Sequence, residues 1–415
     1  MTIGHDWTKN RFGFFLYGVL VISLIVNFIL AIPIFSGNVA SVPPTEPISD
    51  PAELLCASAV KNDKTSNKTN ATEAALAVIP DIYTRNMSCL SFSSHVTSSQ
   101  NFDAWKAVVV DKYRLLRQIP PLNDLVPSQQ PNRTHTFEAS DHEYSIERYS
   151  MRAFDGDTII FYQLRPLSLN GPLPAVLVVP GSGNQGVADV LGFEGEFENI
   201  YYQKSIAVEI VKRGYVVFAI ENRGWGERSI ETANQCGTNE AAVCSGLIYY
   251  EHMRSLGFDF LGLQTADALQ VLNYMRSVEV VDRQRIAIVG LSLGAYIAMS
   301  ASVLDPGIAS TVLASGVISV GHTWSRGTDV LGSLKYFDGP DLASTLAPRP
   351  LYLSYGSRES LGFGIEATTL YSADIISEAY RLFNAEDKLK VVVHKGAHTY
   401  DVPSVLEFLD DTLKN

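Results

Sequence analysis

From about residue 140 onward, short strand-like runs alternate with helix-like ones, and this alternation limits the possible fold more than any other feature. The strand-like runs are Tyr144–Arg152, Thr158–Leu164, Ala175–Val179, Tyr215–Ile220, Ile286–Val289, Ser310–Ala314, Pro350–Ser354 and Lys390–Val393. Helix-like runs, Tyr202–Arg213, Leu263–Val278, Leu293–Val303, Ser372–Phe383 and Pro403–Leu413, lie between or after the later ones. Two successive strands followed by β–α repeats predict an α/β fold, a mostly parallel sheet with helices on both faces. A hydrophobic fraction of 46% is ample for its core. Residues 222–262 and 317–348 read as long irregular connections, of the kind that form lids or substrate walls.

One short motif stands out in that pattern. Gly290-Leu291-Ser292-Leu293-Gly294 follows the apolar run RIAIVG and opens a helix-like run. G-x-S-x-G is short and common, but in a strand–turn–helix setting the serine is held up at the sheet edge. The flanking glycines let the backbone turn without a Cβ clash. The helix start presents N–H groups to a developing negative charge. A serine hydroxyl attacks only when a base takes its proton.

The chain order expected for such a nucleophile is serine, acid, histidine. His398 lies in the loop after the last strand and is the expected base; His394, at the strand end, is the rival. His322 is placed to line a pocket. Glu359 is the expected acid, because it follows Pro350–Ser354 and precedes the next carboxylate, Glu366. Asp374, in a helix-like run, and Asp387, ahead of the last strand, are worse placed. The acid would fix the His398 tautomer and stabilise the imidazolium. Two backbone N–H groups would hold an oxyanion: that of Leu293, and that of Ser182 in the loop Pro180–Asn184. Trp225, Tyr249, Tyr250, Phe258 and Trp324 lie in the long connections, as substrate-pocket walls or as packing of a cap.

The same loop holds a rival signal, since Gly181, Gly183 and Gly186 form a G-x-G-x-x-G pattern after a strand. Pro180 opens the loop, the next convincing helix is expected near Tyr202, and Glu221 lies further on than a ribose-binding acid should. Dinucleotide binding is therefore set aside, and no cofactor is expected. No spacing of His, Asp or Glu suggests a catalytic metal. A net charge of -12 argues against nucleic acid as a partner.

The N-terminus is of a different kind. Phe12 to Phe35 is almost continuously apolar, long enough to cross a bilayer, and Lys9 and Arg11 precede it. The charge asymmetry predicts a single-pass anchor with the bulk of the chain outside the cytoplasm; a cleaved export signal, giving a secreted protein, is the alternative. The expected divisions are residues 1–36 as cytoplasmic stub and anchor, 37–72 as a Pro/Ser/Thr-rich stalk, 73–139 as a helical lead-in and 140–415 as the catalytic domain. Four cysteines beyond an export segment suggest two disulfides. Close spacing favours Cys236 with Cys244 and leaves Cys56 for Cys89, among three formal pairings. Asn67, Asn70, Asn86 and Asn132 head glycosylation sequons.

From about residue 100 the chain resembles the acetyl xylan esterase and dienelactone hydrolase-like branch of the α/β hydrolases. The residues that carry the resemblance are Glu221-Asn222-Arg223-Gly224-Trp225-Gly226-Glu227, Gly290-Leu291-Ser292-Leu293-Gly294 and Gly396-Ala397-His398, in that order. It implies an α/β-hydrolase fold and hydrolysis of small-molecule or carbohydrate carboxylic esters through an acyl-enzyme. Ser292 would be the nucleophile, His398 the base and Glu359 the acid. The chain departs from the pattern in three places. Pro180-Gly181 stands where relatives often have His-Gly, the acid is Glu rather than Asp, and Leu293 replaces a common Gly. A peptidase on the same fold and a non-catalytic surface binding protein are the other readings, because fold alone does not choose among them.

Overall fold

The central sheet has nine strands in the order β1-β2-β3-β5-β4-β6-β7-β8-β9. They are β1 (Asn132–Glu138), β2 (Tyr144–Arg152), β3 (Thr158–Pro166), β4 (Leu173–Val179), β5 (Val216–Ile220), β6 (Val281–Leu291), β7 (Ser310–Ala314), β8 (Leu351–Gly356) and β9 (Leu389–His394). The first three form an antiparallel meander joined to β5, and β5, β4, β6, β7, β8 and β9 run parallel. The computed structural model describes residues 50–52, 56, 88–138, 143–183, 185–193, 202–230, 241–317, 330–359 and 371–414. The described residues belong to one unit, Asp50–Asn415. The predicted membrane segment, most of the stalk and the sequons at Asn67, Asn70 and Asn86 lie outside them; Asn132 heads β1 and is exposed.

Eight helices matter for the site: α1 (Ser99–Leu116), α2 (Val187–Leu191), α3 (Ile206–Lys212), α4 (Ala241–Ser255), α5 (Phe260–Met275), α6 (Leu293–Leu304), α7 (Tyr371–Arg381) and α8 (Val402–Leu413). Side chains alternate between the faces of each strand. On β4, Ala175, Leu177 and Val179 face a core shared with α1, α5, α6 and α7, while Val176 and Val178 face one shared with α3 and α8. Covering on both faces is why VVFAI and RIAIVGL read as continuous apolar runs.

The structure departs from the sequence expectation at several described elements, among them the short helices Ser333–Tyr336 and Gly339–Ser344 within 317–348, a stretch expected to be irregular. Strand β1 was not anticipated, because Asn132–Thr136 are exposed and its NRTHTFE sequence carries no buried alternation. Helix α4 occupies part of 222–262, a stretch expected to be irregular; its sequence has no clean amphipathic stripe. Helix α2 begins directly after Gly186, earlier than the helix expected near Tyr202. Cys56, in the expected stalk, and Cys89, in the lead-in, form the expected disulfide. The expected Cys236–Cys244 pair lies outside the described residues. Among the described residues no helix is long and apolar enough to cross a membrane.

Candidate active site

Strand β6 ends at Leu291 and α6 begins at Leu293, so Ser292 is the single residue at the corner. Its backbone has φ 58° and ψ −122°, a conformation that non-glycine residues rarely adopt. Such strain typically costs about 1–3 kcal/mol and persists where the surroundings over-determine it. Here the Ser292 N–H donates to Ala314 O at 2.9 Å, and the Ser292 carbonyl accepts from Ala295 N at 3.0 Å. Both flanking glycines are required by space. A Cβ on Gly290 would stand 2.1 Å from Gly294 O, and one on Gly294 would stand 2.0 Å from Val179 O. Leu293 is the first residue of α6, so its N–H has no partner within the helix.

The parallel strands bring four loop starts to one edge. The posts after β6, β7, β8 and β9 carry Ser292, Ser315, Glu359 and His398 in that order across the sheet. Neighbouring strands are about 4.8 Å apart, so the β9 loop must fold back to approach Ser292. It does so over the end of β8. Arg358 N donates to Gly396 O at 3.0 Å, and a Cβ on Gly356 would lie 2.1 Å from Ala397 O. The return places His398 Nδ1 2.5 Å from Glu359 Oε1. Glu359 Oε2 accepts from Ser315 Oγ at 2.9 Å. The Glu359 side chain is 0% exposed, so it is not the solvated carboxylate that its loop position allows. Asp374 is exposed on α7, and Asp387 lies in a turn at the opposite end of β9. His394 accepts on Nδ1 from Gly396 N–H at 3.0 Å.

The loop after β4 is held at two of its peptides. Pro180 O accepts from Asn222 Nδ2 at 2.7 Å, and the Gly181 N–H donates to Gln203 Oε1 at 2.7 Å. Ser182 O accepts from the Tyr202 hydroxyl at 2.8 Å. The Gly181 N–H is therefore spent on a side chain, and the expected donor, exposed Ser182, is the next along. Glu221 sits behind this loop. Its carboxylate accepts from Val187 N at 3.1 Å and from Glu227 N at 3.3 Å, and is enclosed by Gly186 and Gly226. Loss of hydration pushes its pKa up to about 8, against the pull of those two N–H groups.

The first of the three runs that carried the resemblance, Glu221–Glu227, makes packing and hydrogen-bond contacts. Asn222 holds the loop, and Arg223 forks onto Asp267 at 2.6 and 2.7 Å. Trp225 is 5% exposed and packs beneath α4, where a Cβ on Gly246 would collide with its ring at 2.1 Å. It anchors the cap rather than standing open as a pocket wall. Tyr249 stacks on Phe260, and Tyr250 and Phe258 line a hollow of about 660 Å³ together with Leu115 and Leu334. Among the described residues, neither Ser292 nor His398 lines that hollow. His322 and Trp324 lie outside the described residues. Ser315, Tyr202, Gln203 and Glu221 were not singled out as site residues. Only Ser315 carried a signal: it follows β7 as Ser292 follows β6.

The chain matches the sequence profile of the Abhydrolase family over residues 63–319, more than half of its length. It belongs to the Abhydrolase family. This Abhydrolase chain is 27% identical over 282 residues to the proposed hydrolase YtaP of Bacillus subtilis (strain 168), covering 63% of this chain and 88% of YtaP. Its fold is similar to that of a proposed acetyl xylan esterase from Bacteroides fragilis NCTC 9343, with a TM-score of 0.62 and 22% identity over 76% of this chain and 81% of the other. It is similar as well to a glucuronoyl esterase from Teredinibacter turnerae T7901, with a TM-score of 0.56 and 17% identity over 87% of this chain and 99% of the other. The mostly parallel sheet with a serine at the β6–α6 corner is thus an α/β-hydrolase fold.

Proposed function

We propose that this Abhydrolase protein is a serine hydrolase that cleaves carboxylic esters through an acyl-enzyme. The observation that carries the reading is the short contact between His398 Nδ1 and the buried carboxylate of Glu359, one loop away from the strained Ser292 corner. A carboxylate on Nδ1 holds the proton there, which leaves Nε2 to take the Ser292 proton. The Ser292 oxygen attacks the ester carbonyl, and the N–H groups of Leu293 and Ser182 hold the oxyanion. His398 returns its proton to the leaving alcohol, and water, activated by the same imidazole, releases the acid. The structural relatives named for acetyl xylan and glucuronoyl ester cleavage support a small-molecule or carbohydrate ester as substrate. The N-terminal apolar run supports an anchored enzyme working outside the cytoplasm.

The test is covalent labelling with a fluorophosphonate probe followed by hydrolysis of p-nitrophenyl acetate. Wild-type protein should label and turn over, and Ser292→Ala should do neither. Labelling that persists in Ser292→Ala overturns the assignment. A folded wild-type protein that neither labels nor hydrolyses any ester favours a binding role.

A further inference from the structure

Two adjacent residues touch both the β4 loop and the loop that carries His398. Tyr202 and Gln203 precede α3, far from Ser292 in sequence. Gln203 is 1% exposed and its Oε1 accepts the Gly181 N–H at 2.7 Å. The Tyr202 hydroxyl donates to the Ser182 carbonyl at 2.8 Å. The peptide groups on either side of the one that carries the Ser182 N–H are therefore gripped, the first by its N–H and the second by its C=O. On its other side, the Tyr202 ring stacks on the His398 ring, with centroids 5.8 Å apart and planes 22° from parallel. The Tyr202 carbonyl accepts from Thr399 Oγ1, in the residue after His398. The fit depends on a glycine, because a Cβ on Gly181 would stand 2.5 Å from the Tyr202 hydroxyl oxygen.

We propose that Tyr202, seconded by Gln203, is a positioning residue that sets, through the two gripped neighbours, the orientation of the peptide bearing the Ser182 N–H, and with it that of the His398 ring. This rests on the serine-hydrolase reading above. Catalysis by fixed dipoles depends on donors held where the charge will develop. A peptide free to rotate about its neighbours loses that advantage without losing substrate binding. Burial holds the Tyr202 hydroxyl well above its ordinary pKa, so it stays a donor throughout the working pH range. One side chain thereby couples the oxyanion site to the base.

The test is a cycle of Tyr202→Phe, Gly181→Ala and the double variant, in the full chain, with p-nitrophenyl acetate. Tyr202→Phe should lower kcat about tenfold, the size of one hydrogen bond missing in the transition state, and leave KM within about twofold. Because its ring still stacks, the acid limb of its pH–kcat profile should stay where it is in wild type, whereas in Tyr202→Leu that limb should move. Gly181→Ala alone should cost a similar factor by displacing the hydroxyl, and should cost much less in the Tyr202→Phe background. Losses that multiply independently, or full kcat in Tyr202→Phe, overturn the proposal. Melting temperatures identify a variant that fails to fold, and Gln203→Leu, which removes the acceptor, then serves as the second probe: a several-fold loss of kcat is expected, and wild-type kcat counts against the grip on Gly181. A wild-type chain that fails to label with fluorophosphonate sinks the serine-hydrolase reading instead, a result distinct from any of these.

Discussion

Replacing Glu359 by Gln keeps the shape of a fully buried side chain and removes its charge. The carboxylate now accepts from Ser315 on Oε2 at 2.9 Å and meets His398 Nδ1 on Oε1 at 2.5 Å. An amide has two ways to occupy that slot. With its NH2 toward His398, Nδ1 must accept, the ring proton moves to Nε2, and the imidazole no longer takes the Ser292 proton. With its carbonyl toward His398 the tautomer survives, but nothing negative faces the imidazolium. A hydrogen bond to a charged group is worth about 1.5–3 kcal/mol, and the equivalent acid-to-amide change in a serine protease lowers kcat about 10⁴-fold. The expected loss here is at least about 10³-fold in kcat, or roughly 4 kcal/mol of barrier, with KM little changed. Steady-state hydrolysis of p-nitrophenyl acetate, normalised to fluorophosphonate-titrated sites, measures it, and a thermal melt checks the fold. Asp374→Asn and Asp387→Asn serve as controls and should keep wild-type rates. A Glu359→Gln enzyme within tenfold of wild type, alongside an inactive Ser292→Ala, would refute the acid assignment and the reasoning from its burial.

Two further outcomes follow from the packing around this edge. Glu221 ionises near 4.5 in an unfolded chain and near 8 in the fold, so the folded state holds its proton more tightly. Its contribution is full below about pH 4.5 and is lost as pH rises through about 8; the melting temperature of wild type minus that of Glu221→Gln should therefore decline between pH 5 and 8 and then level, and a flat difference rejects the buried neutral carboxyl. Gly294→Ala should lower stability by about 1–3 kcal/mol through overpacking and reduce kcat, because the new methyl would press on Val179 O and Pro180 O at 2.0 and 2.6 Å; urea unfolding unchanged from wild type would show that the β4 loop yields without cost.

The legible parts of the chain are those where local chemistry and chain order coincide. RIAIVG before Gly290-Leu291-Ser292-Leu293-Gly294 announces both a buried strand and its corner, and the loops after the last two strands name Glu359 and His398 by position alone. Strand β1 stayed hidden because an exposed edge strand leaves no apolar alternation, and α4 because Gly246 and its mixed faces break the helical stripe. Trp225 was ambiguous for a physical reason: a large ring in a long connection reads the same whether it greets a substrate or plugs a cap. Tyr202, Gln203 and Ser315 act through hydrogen bonds between segments far apart in sequence, and no spacing records such bonds.

The brace formed by α1 has a practical meaning for anyone trimming this enzyme. Phe102, Trp105, Val109 and Tyr113 are buried on the same side of the sheet as α6, and the Tyr113 hydroxyl shares a hydrogen bond with Ser300 Oγ on that helix. Ser88, Cys89 and Leu90 add backbone bonds to Leu334, Lys335 and Tyr336. A fragment started at residue 140, where the β–α rhythm begins, would bare the outer flank of the helix that carries Ser292 at its tip. Each uncovered aromatic would expose about 150–250 Å² of greasy surface, so the shortest soluble version should begin ahead of Cys56 and be produced where that cysteine can oxidise.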